Sequence, residues 1–436
     1  QGADSGSAHV FRYDGSSWVV EQTLLASDGR AGDRFGYSVS LEGDVAVLGA
    51  YGDDNFTGSA YVFRYDGSTW TEEQKLRRGV LGDRIDDVVL GTVSAVGEQG
   101  GVLARAAVHA AGLPDAVPGM QVNRYCASGL EAVTAAAARI AAGFDDLIVA
   151  GGVEAMTRVP LGSDDGPYAT DASALEPWSL IPQGVSADAI AALDGFSRDD
   201  VDGFALQSQQ RTAAAWDEQR FARSIVPVVD GDGTVLLDRD EHPRAGTSLE
   251  GLAGLAPAFA GFGDGGFDAV VRQRHPELSR IDHVHTAGNS SGIVDGAGLV
   301  VIAGEAAAAS LGLAPRARIV AATSIGSDPT LMLTGPVAAT ERVLARAGLG
   351  VDDIDLFEVN EAFASVVLHW MRETGVDADL TNVNGGAIAM GHPLGATGAM
   401  LLGTALDELE RRGGRRALVT LCVGGGMASA MVIERV

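Results

Sequence analysis

The chain contains two cysteines among its 436 residues, and each is bedded in small residues. Cys126 lies in Asn123-Arg124-Tyr125-Cys126-Ala127-Ser128-Gly129-Leu130-Glu131-Ala132, and Cys422 opens Cys422-Val423-Gly424-Gly425-Gly426-Met427. His392 sits in a third run of the same kind, Gly385-Gly386-Ala387-Ile388-Ala389-Met390-Gly391-His392-Pro393-Leu394-Gly395-Ala396-Thr397-Gly398. A thiolate can carry an acyl group, and an imidazole titrating near neutrality suits the proton it gives up. Together the three runs point to thiol-based acyl chemistry. A disulfide between cysteines so far apart in sequence would not require glycine, alanine and serine around each, so both are read as reduced thiols in a cytoplasmic setting.

Elements must hold these groups. After Cys126, the apolar residues Leu130, Val133, Ala137 and Ile140 follow helical spacing, which places Cys126 at or just before a helix N-terminus. Free N–H groups and the positive end of the helix dipole there lower a thiol pKa and hold an anion. From Asp86 onward, short apolar runs such as Asp87-Val88-Val89-Leu90-Gly91 and Asp146-Leu147-Ile148-Val149-Ala150-Gly151 alternate with alanine-rich helical stretches, the pattern of an α/β sheet architecture.

The chain is 46% hydrophobic, enough for two or three domains. A net charge of −27 argues against a general nucleic-acid or anionic membrane surface, so an anionic substrate needs a local basic patch. No apolar stretch reaches the roughly 18 residues of a membrane span, and the first residues lack the pattern of an export signal.

The front of the chain is different in kind. Gly6-Ser7-Ala8-His9-Val10-Phe11-Arg12-Tyr13-Asp14-Gly15-Ser16-Ser17-Trp18 recurs 52 positions later as Gly58-Ser59-Ala60-Tyr61-Val62-Phe63-Arg64-Tyr65-Asp66-Gly67-Ser68-Thr69-Trp70. With Phe35-Gly36 and Gly49-Ala50 between them, residues 1 to 76 resemble the FG-GAP repeats of integrin-type propellers. Such a propeller closes with about four to eight blades, and this segment holds fewer than two. Asp53-Asp54-Asn55 offers oxygen ligands for a calcium ion but is read as a solvated turn. The only lysine, Lys75, and five of the seven tyrosines precede residue 77, which puts the boundary near residues 76 to 80.

Residues 80 to 436 resemble the thiolase family. The resemblance rests on the Cys126, His392 and Cys422 runs and on Ala150-Gly151-Gly152-Val153-Glu154-Ala155-Met156, Thr286-Ala287-Gly288-Asn289-Ser290-Ser291-Gly292-Ile293-Val294-Asp295-Gly296-Ala297 and Glu358-Val359-Asn360-Glu361-Ala362-Phe363-Ala364, in the family's order. It implies two similar layered α/β/α halves, residues 77 to 308 and 309 to 436, with a loop domain over about 159 to 285. It implies Claisen condensation or thiolysis of a 3-ketoacyl-CoA, as in fatty-acid β-oxidation. Cys126 would be the acylated nucleophile, His392 its base and Cys422 the second acid/base. Asn360 would hold a water that forms one oxyanion hole with His392, and the backbone N–H groups of Cys126 and Gly424 would form the other. Arg244 and Ser291 match positions near the nucleotide and pantetheine of CoA. Coenzyme A thioesters are then substrates, no separate cofactor or metal is expected, and a homodimer or homotetramer is the usual assembly. The pair His283 and His285 lacks a third ligand for a metal.

The chain departs from the family pattern in three places. Pro182-Gln183 stands where biosynthetic members carry a histidine, and residues 261 to 283 form a longer segment. The family's opening strand and helix are replaced by the blade-like segment. That strand is expected to lie centrally in its sheet, so its loss would open the first half unless residues 1 to 76 lend a surrogate, and activity would be impaired. The alternatives are an inactive chimeric fusion, a decarboxylating ketoacyl synthase, which leaves Cys422 without a role, and a β-repeat binding protein.

Overall fold

The computed structural model describes residues 5–53, 58–77, 82–171, 179–231 and 233–436. Asp54 and Asn55 of the calcium-loop alternative lie outside them. The chain forms two compact units, residues 1–85 with 107–117, and residues 86–106 with 118–436.

The first unit is antiparallel. Strands β1 (Ala8–Tyr13) and β2 (Trp18–Leu24) form a hairpin, and β3 (Phe35–Glu42), β4 (Val45–Ala50), β5 (Ser59–Tyr65) and β6 (Trp70–Arg77) form a four-stranded meander. The sequence repeat becomes a structural one, because β1–β2 and β5–β6 are the same hairpin built twice. Their turns use the same chemistry: Asp14 accepts from the N–H groups of Ser16 and Ser17, and Asp66 from those of Ser68 and Thr69. These bonds to the charged form hold both carboxyls down at about 2. The Gln22 side-chain amide pairs with both backbone groups of Trp70, at 2.7 and 2.8 Å, and so straps β2 to β6. Alternate residues Leu48, Tyr61 and Phe63 fill the core with Phe35.

The second unit holds two mixed sheets. One, in the order β12-β9-β7-β8, comprises β7 (Asp87–Gly91), β8 (Gly119–Val122), β9 (Leu147–Ala155) and β12 (Asp295–Ala303). A small hairpin, β10 (Val228–Val229) with β11 (Val235–Leu237), lies between them in sequence. The second sheet, in the order β13-β16-β15-β14, comprises β13 (Ala317–Gly326), β14 (Leu356–Val359), β15 (Arg416–Val423) and β16 (Met427–Arg435). Helices of eight residues or more are α1 (Leu103–Ala110), α2 (Ser128–Ala141), α3 (Gln183–Asp194), α4 (Arg198–Asp217), α5 (Gly335–Ala347), α6 (Ala364–Thr374) and α7 (Leu394–Arg412). Helices α2 and α7 are packed between the sheets: Leu130, Val133, Leu402 and Leu409 share one core with Ile148 of β9 and Val419 and Met431 of the second sheet.

One expectation is corrected here. The first sheet has no central gap, because β7 is paired in parallel with β8 on one side and β9 on the other. The corresponding place in the second sheet shows where a further strand belongs. There β13 lies outside β16, at the edge, and the matching position beside β12 has no strand among the described residues. A strand lost from an edge leaves the remaining ladder intact, whereas a lost central strand would split it.

Candidate active site

Tyr125 sits in the left-handed region at φ 43°, and this turn carries the chain from β8 into α2 with Cys126 two residues before the helix begins. The turn is locked by short-range bonds. Asn123 accepts from the Tyr125 N–H at 2.8 Å and donates to the Val93 carbonyl at 2.9 Å, while Ser128 Oγ accepts from the Arg124 N–H and donates to the Tyr125 carbonyl. The helix start predicted from spacing is where the helix starts.

The thiol pKa runs against the expectation. Burial pushes the Cys126 thiol up to about 11, and the hydrogen bonds from the Gly424 N–H, its own N–H and the Gln183 side chain only partly offset this. Desolvation therefore outweighs these bonds. Cys422, near the end of β15, is also raised by burial and, next, by the charge Cys126 would carry. The two thiols thus lie within electrostatic reach of one another.

His392 precedes α7 by two residues and is buried; burial holds its imidazole down at about 4, so it is neutral near pH 7. Its Nδ1 lies 2.7 Å from Thr397 Oγ1, and its Nε2 lies 3.2 Å from Asn360 Nδ2. Asn360 Nδ2 can only donate, which makes Nε2 the basic nitrogen and puts the proton on Nδ1, toward Thr397. Asn360 Oδ1 is buried without a protein partner. The Asn360 N–H bonds the Thr420 carbonyl, two residues before Cys422 on β15, so both groups stand at the same end of the second sheet.

What brings the two halves together is a seam without side chains. A Cβ on Gly129 would stand 2.5 Å from the Gly395 carbonyl oxygen, and one on Gly398 would stand 2.2 Å from the Leu130 nitrogen. Backbones of α2 and α7 therefore touch, one helix led by Cys126 and the other by His392. The hairpin turn between β15 and β16, with Gly425 and Gly426 at φ 77° and 76°, delivers the Gly424 N–H to the Cys126 sulfur.

Two buried carboxylates brace this frame, and reading the sequence gave neither a role although both stand in the quoted motifs. Glu154 accepts from the N–H groups of Val93, Ser94 and Gly395 and from Gln99 Nε2, all within 2.8–3.1 Å, which ties β9 to the first turn of α7. Glu361 accepts from Ser208, Asn382 and the Ile388 N–H, and burial raises its pKa. Their signal was a lone carboxylate among apolar and small residues, which a buried site can keep only if it is bonded. Gln183, Thr397, Ser208 and Asn382 were also missed; single polar residues carry no spacing signal.

The two substrate-binding candidates are placed less tightly. His242 packs against Gly292, whose carbonyl accepts from the His392 N–H, so the loop carrying Arg244 adjoins the turn carrying Ser291. Arg244 is exposed, its backbone N–H bonded to Gln209; Ser291 is half-buried, its N–H bonded to the Ala362 carbonyl. His283 and His285 both turn their Nδ1 to Asp188, at 2.7 and 2.8 Å, which fixes α3 to the end of the loop domain.

The thiolase N-terminal domain matches residues 73–266, the thiolase C-terminal domain residues 313–435, and an FG-GAP repeat residues 18–63. The chain is 44% identical over 375 residues to a β-ketoadipyl-CoA thiolase of Escherichia coli, covering 81% of this chain and 88% of that one. It is 41% identical over 378 residues to an acetyl-CoA acetyltransferase of Allochromatium vinosum, covering 82% and 90%. The crystal structure of the Bacillus anthracis acetyl-CoA acetyltransferase superposes with a TM-score of 0.70 at 34% identity, covering 83% of this chain and 89% of that one. The chain belongs to the thiolase family, and it is an acyltransferase of that family acting on coenzyme A thioesters. Among the described residues, no helix is long and apolar enough to cross a membrane.

Proposed function

We propose that the protein cleaves 3-ketoacyl-CoA substrates with CoA, or forms them from acetyl-CoA, through an acyl-enzyme on Cys126. In condensation the Cys126 sulfur attacks the thioester carbonyl of acetyl-CoA while His392 Nε2 takes its proton, the backbone N–H groups of Cys126 and Gly424 receive the oxyanion, and CoA leaves as the thiol with the proton returned from His392. Cys422 then removes a proton from the α-carbon of a second acetyl-CoA, and that carbon attacks the acyl-enzyme carbonyl and releases the Cys126 thiol. In cleavage the Cys126 sulfur attacks the 3-keto carbonyl, the C2–C3 bond breaks, Cys422 gives a proton to the departing acetyl-CoA carbon, and the CoA thiol takes the acyl group from Cys126. Asn360 Oδ1, buried without a protein partner, would hold a water that completes the second oxyanion hole with His392. Arg244 and Ser291 would contact the nucleotide and pantetheine ends of CoA. The thiol at about 11 and the imidazole at about 4 support a neutral resting pair, so the proton moves only as the C–S bond forms.

The observation that carries this reading is the convergence of the Gly424 N–H on the Cys126 sulfur, which brings the nucleophile of one half to the Cys422 hairpin of the other. No separate cofactor is needed beyond the CoA substrates, and a cytoplasmic homodimer or homotetramer fits the acidic chain and its reduced thiols. We also propose that turnover is lowered by the uncovered edge of the first sheet. The test is peptide mass spectrometry after mixing with acetyl-CoA or acetoacetyl-CoA. An acyl adduct on Cys126 supports the assignment, and an adduct only on Cys422 reverses it.

A further inference from the structure

Three N–H donors converge on the Cys126 sulfur: those of Gly424 and of Cys126 itself, and the side-chain amide of Gln183. The first two are backbone groups, and the chemistry above assigns both to the oxyanion. Gln183 brings the third from another element, as the first residue of α3. Its Nε2 stands 3.4 Å from where a Cβ on Gly424 would be, and the Tyr125 ring lies 3.4–3.5 Å from the same point. The amide, the hairpin glycine and the turn before Cys126 therefore close around one place.

The fold holds the start of α3 there. Ser186, three residues further on, donates its hydroxyl to the Thr330 carbonyl at 2.8 Å, and both residues are buried. The neighbouring Pro329 lies against Gly426, where an added Cβ would come within 2.7 Å of the Pro329 Cα, and the Ser327 N–H bonds the Gly426 carbonyl at 2.7 Å. So α3 is tied to the same β15–β16 turn that presents the Gly424 N–H. Ser365 Oγ donates to the Ala187 carbonyl, and Asp188 accepts from the Val284 and His285 N–H groups, which fixes the next turn as well.

The reaction gives the three donors different work. As the sulfur attacks, charge passes from it to the carbonyl oxygen, and the two backbone N–H groups are taken by that oxygen. The sulfur itself carries charge when its proton has passed to His392, and again when the acyl group leaves and the C–S electron pair returns to it. We propose that Gln183 is a further catalytic residue, its amide donating to the Cys126 sulfur at those two moments, as a charge-assisted hydrogen bond. The inference rests on Cys126 as the acyl carrier. The other groups that face the sulfur are Glu154 of β9, whose charge opposes the thiolate, Cys422 of β15, and His392 ahead of α7.

The test follows alkylation of Cys126 by iodoacetamide between pH 7 and 9, read on the Cys126 peptide by mass spectrometry, in the full chain and in Gln183→Met, Gln183→Glu and Gln183→Lys. Methionine has a similar size and no donor, so near pH 8 alkylation should slow by about tenfold, as should single-turnover acetylation by acetyl-CoA. Glutamate should slow alkylation more than methionine, and lysine should leave it at or above the parent rate. The helix dipole ranks the same variants oppositely for stability, since the first turn of a helix favours an anion and disfavours a cation, so thermal unfolding separates the two roles. Alkylation that is unchanged in Gln183→Met, or that follows unfolding temperature across the variants, would overturn the proposal. Slowed alkylation with an unchanged acetylation rate would overturn the catalytic role alone. A parent protein alkylated but never acylated at Cys126 would overturn the acyl-enzyme reading itself, and this role with it.

Discussion

Asn360 Nδ2 stands 3.2 Å from His392 Nε2, and Thr397 Oγ1 stands 2.7 Å from His392 Nδ1, so the imidazole is clamped at both nitrogens. The ring is oriented before any substrate arrives. Its basic nitrogen is the one shared with Asn360.

His392→Ala should therefore slow acylation of Cys126 by about 10²–10⁴-fold, the usual contribution of a positioned general base. Thr397→Val should act more weakly by loosening the ring and its tautomer. Single-turnover acylation by mass spectrometry measures both. Equal losses in the two variants would contradict the division between base and positioning residue.

Because burial holds the Cys126 thiol at about 11, alkylation of the free protein by iodoacetamide should be slow at pH 7 and rise with pH toward that value. A plateau already reached near pH 7 would show that the thiolate is the resting form.

Stability should fall on the acid side through His392. Its folded pKa of about 4 lies below its ordinary value of 6.5, so the unfolded chain binds the proton first, and the contribution present above pH 6.5 is lost as pH falls toward 4. Cys126 acts in the opposite sense. Its raised pKa gives a contribution fully present below its ordinary value of 9.0 and lost as pH rises toward 11. Urea titrations of the protein and of His392→Asn between pH 4 and 7 should differ in slope, the variant being flatter.

Glu154→Gln keeps the shape and removes one acceptor oxygen, while four N–H donors still converge there. Leaving buried donors unpaired should cost about 1–3 kcal/mol. Thermal unfolding checks the size, and a variant as stable as the parent would remove Glu154 from its bracing role.

Gly398→Ala would put a methyl 2.2 Å from the Leu130 nitrogen, and backbone cannot step aside as a flexible side chain can. A loss of about 1–3 kcal/mol or more is expected, together with reduced acylation because α2 and α7 must part. Gly403→Ala, in open space on the same helix, is the control and should be neutral or mildly stabilising.

Local signals were the legible ones. The spacing after Cys126 located α2, the run from Asp87 to Gly91 became β7, and the repeated turns at Asp14 and Asp66 became twin hairpins. The position of the missing strand was misjudged because strand order is set by pairings distant in sequence, such as β7 with β9 and β13 with β16. The direction of the Cys126 shift was misjudged for a related reason: the helix terminus is visible in the sequence, but the side chains that exclude water, Val93, Met156 and Leu394, come from elsewhere in the chain.

The hairpin that joins β15 to β16 sets Cys422 opposite Ala428 and Val423 opposite Met427, with only glycines between. Side chains alternate along a strand, so losing or gaining one glycine there would shift the pairing and turn every following position of β16 to the other face. Ala430 and Val432 would then point at α7, and Met431 at α5. The spacing of this turn is therefore guarded against changes of length more strictly than against changes of residue, and a single-codon deletion at Gly425 would do more harm to the gene than many missense changes around it.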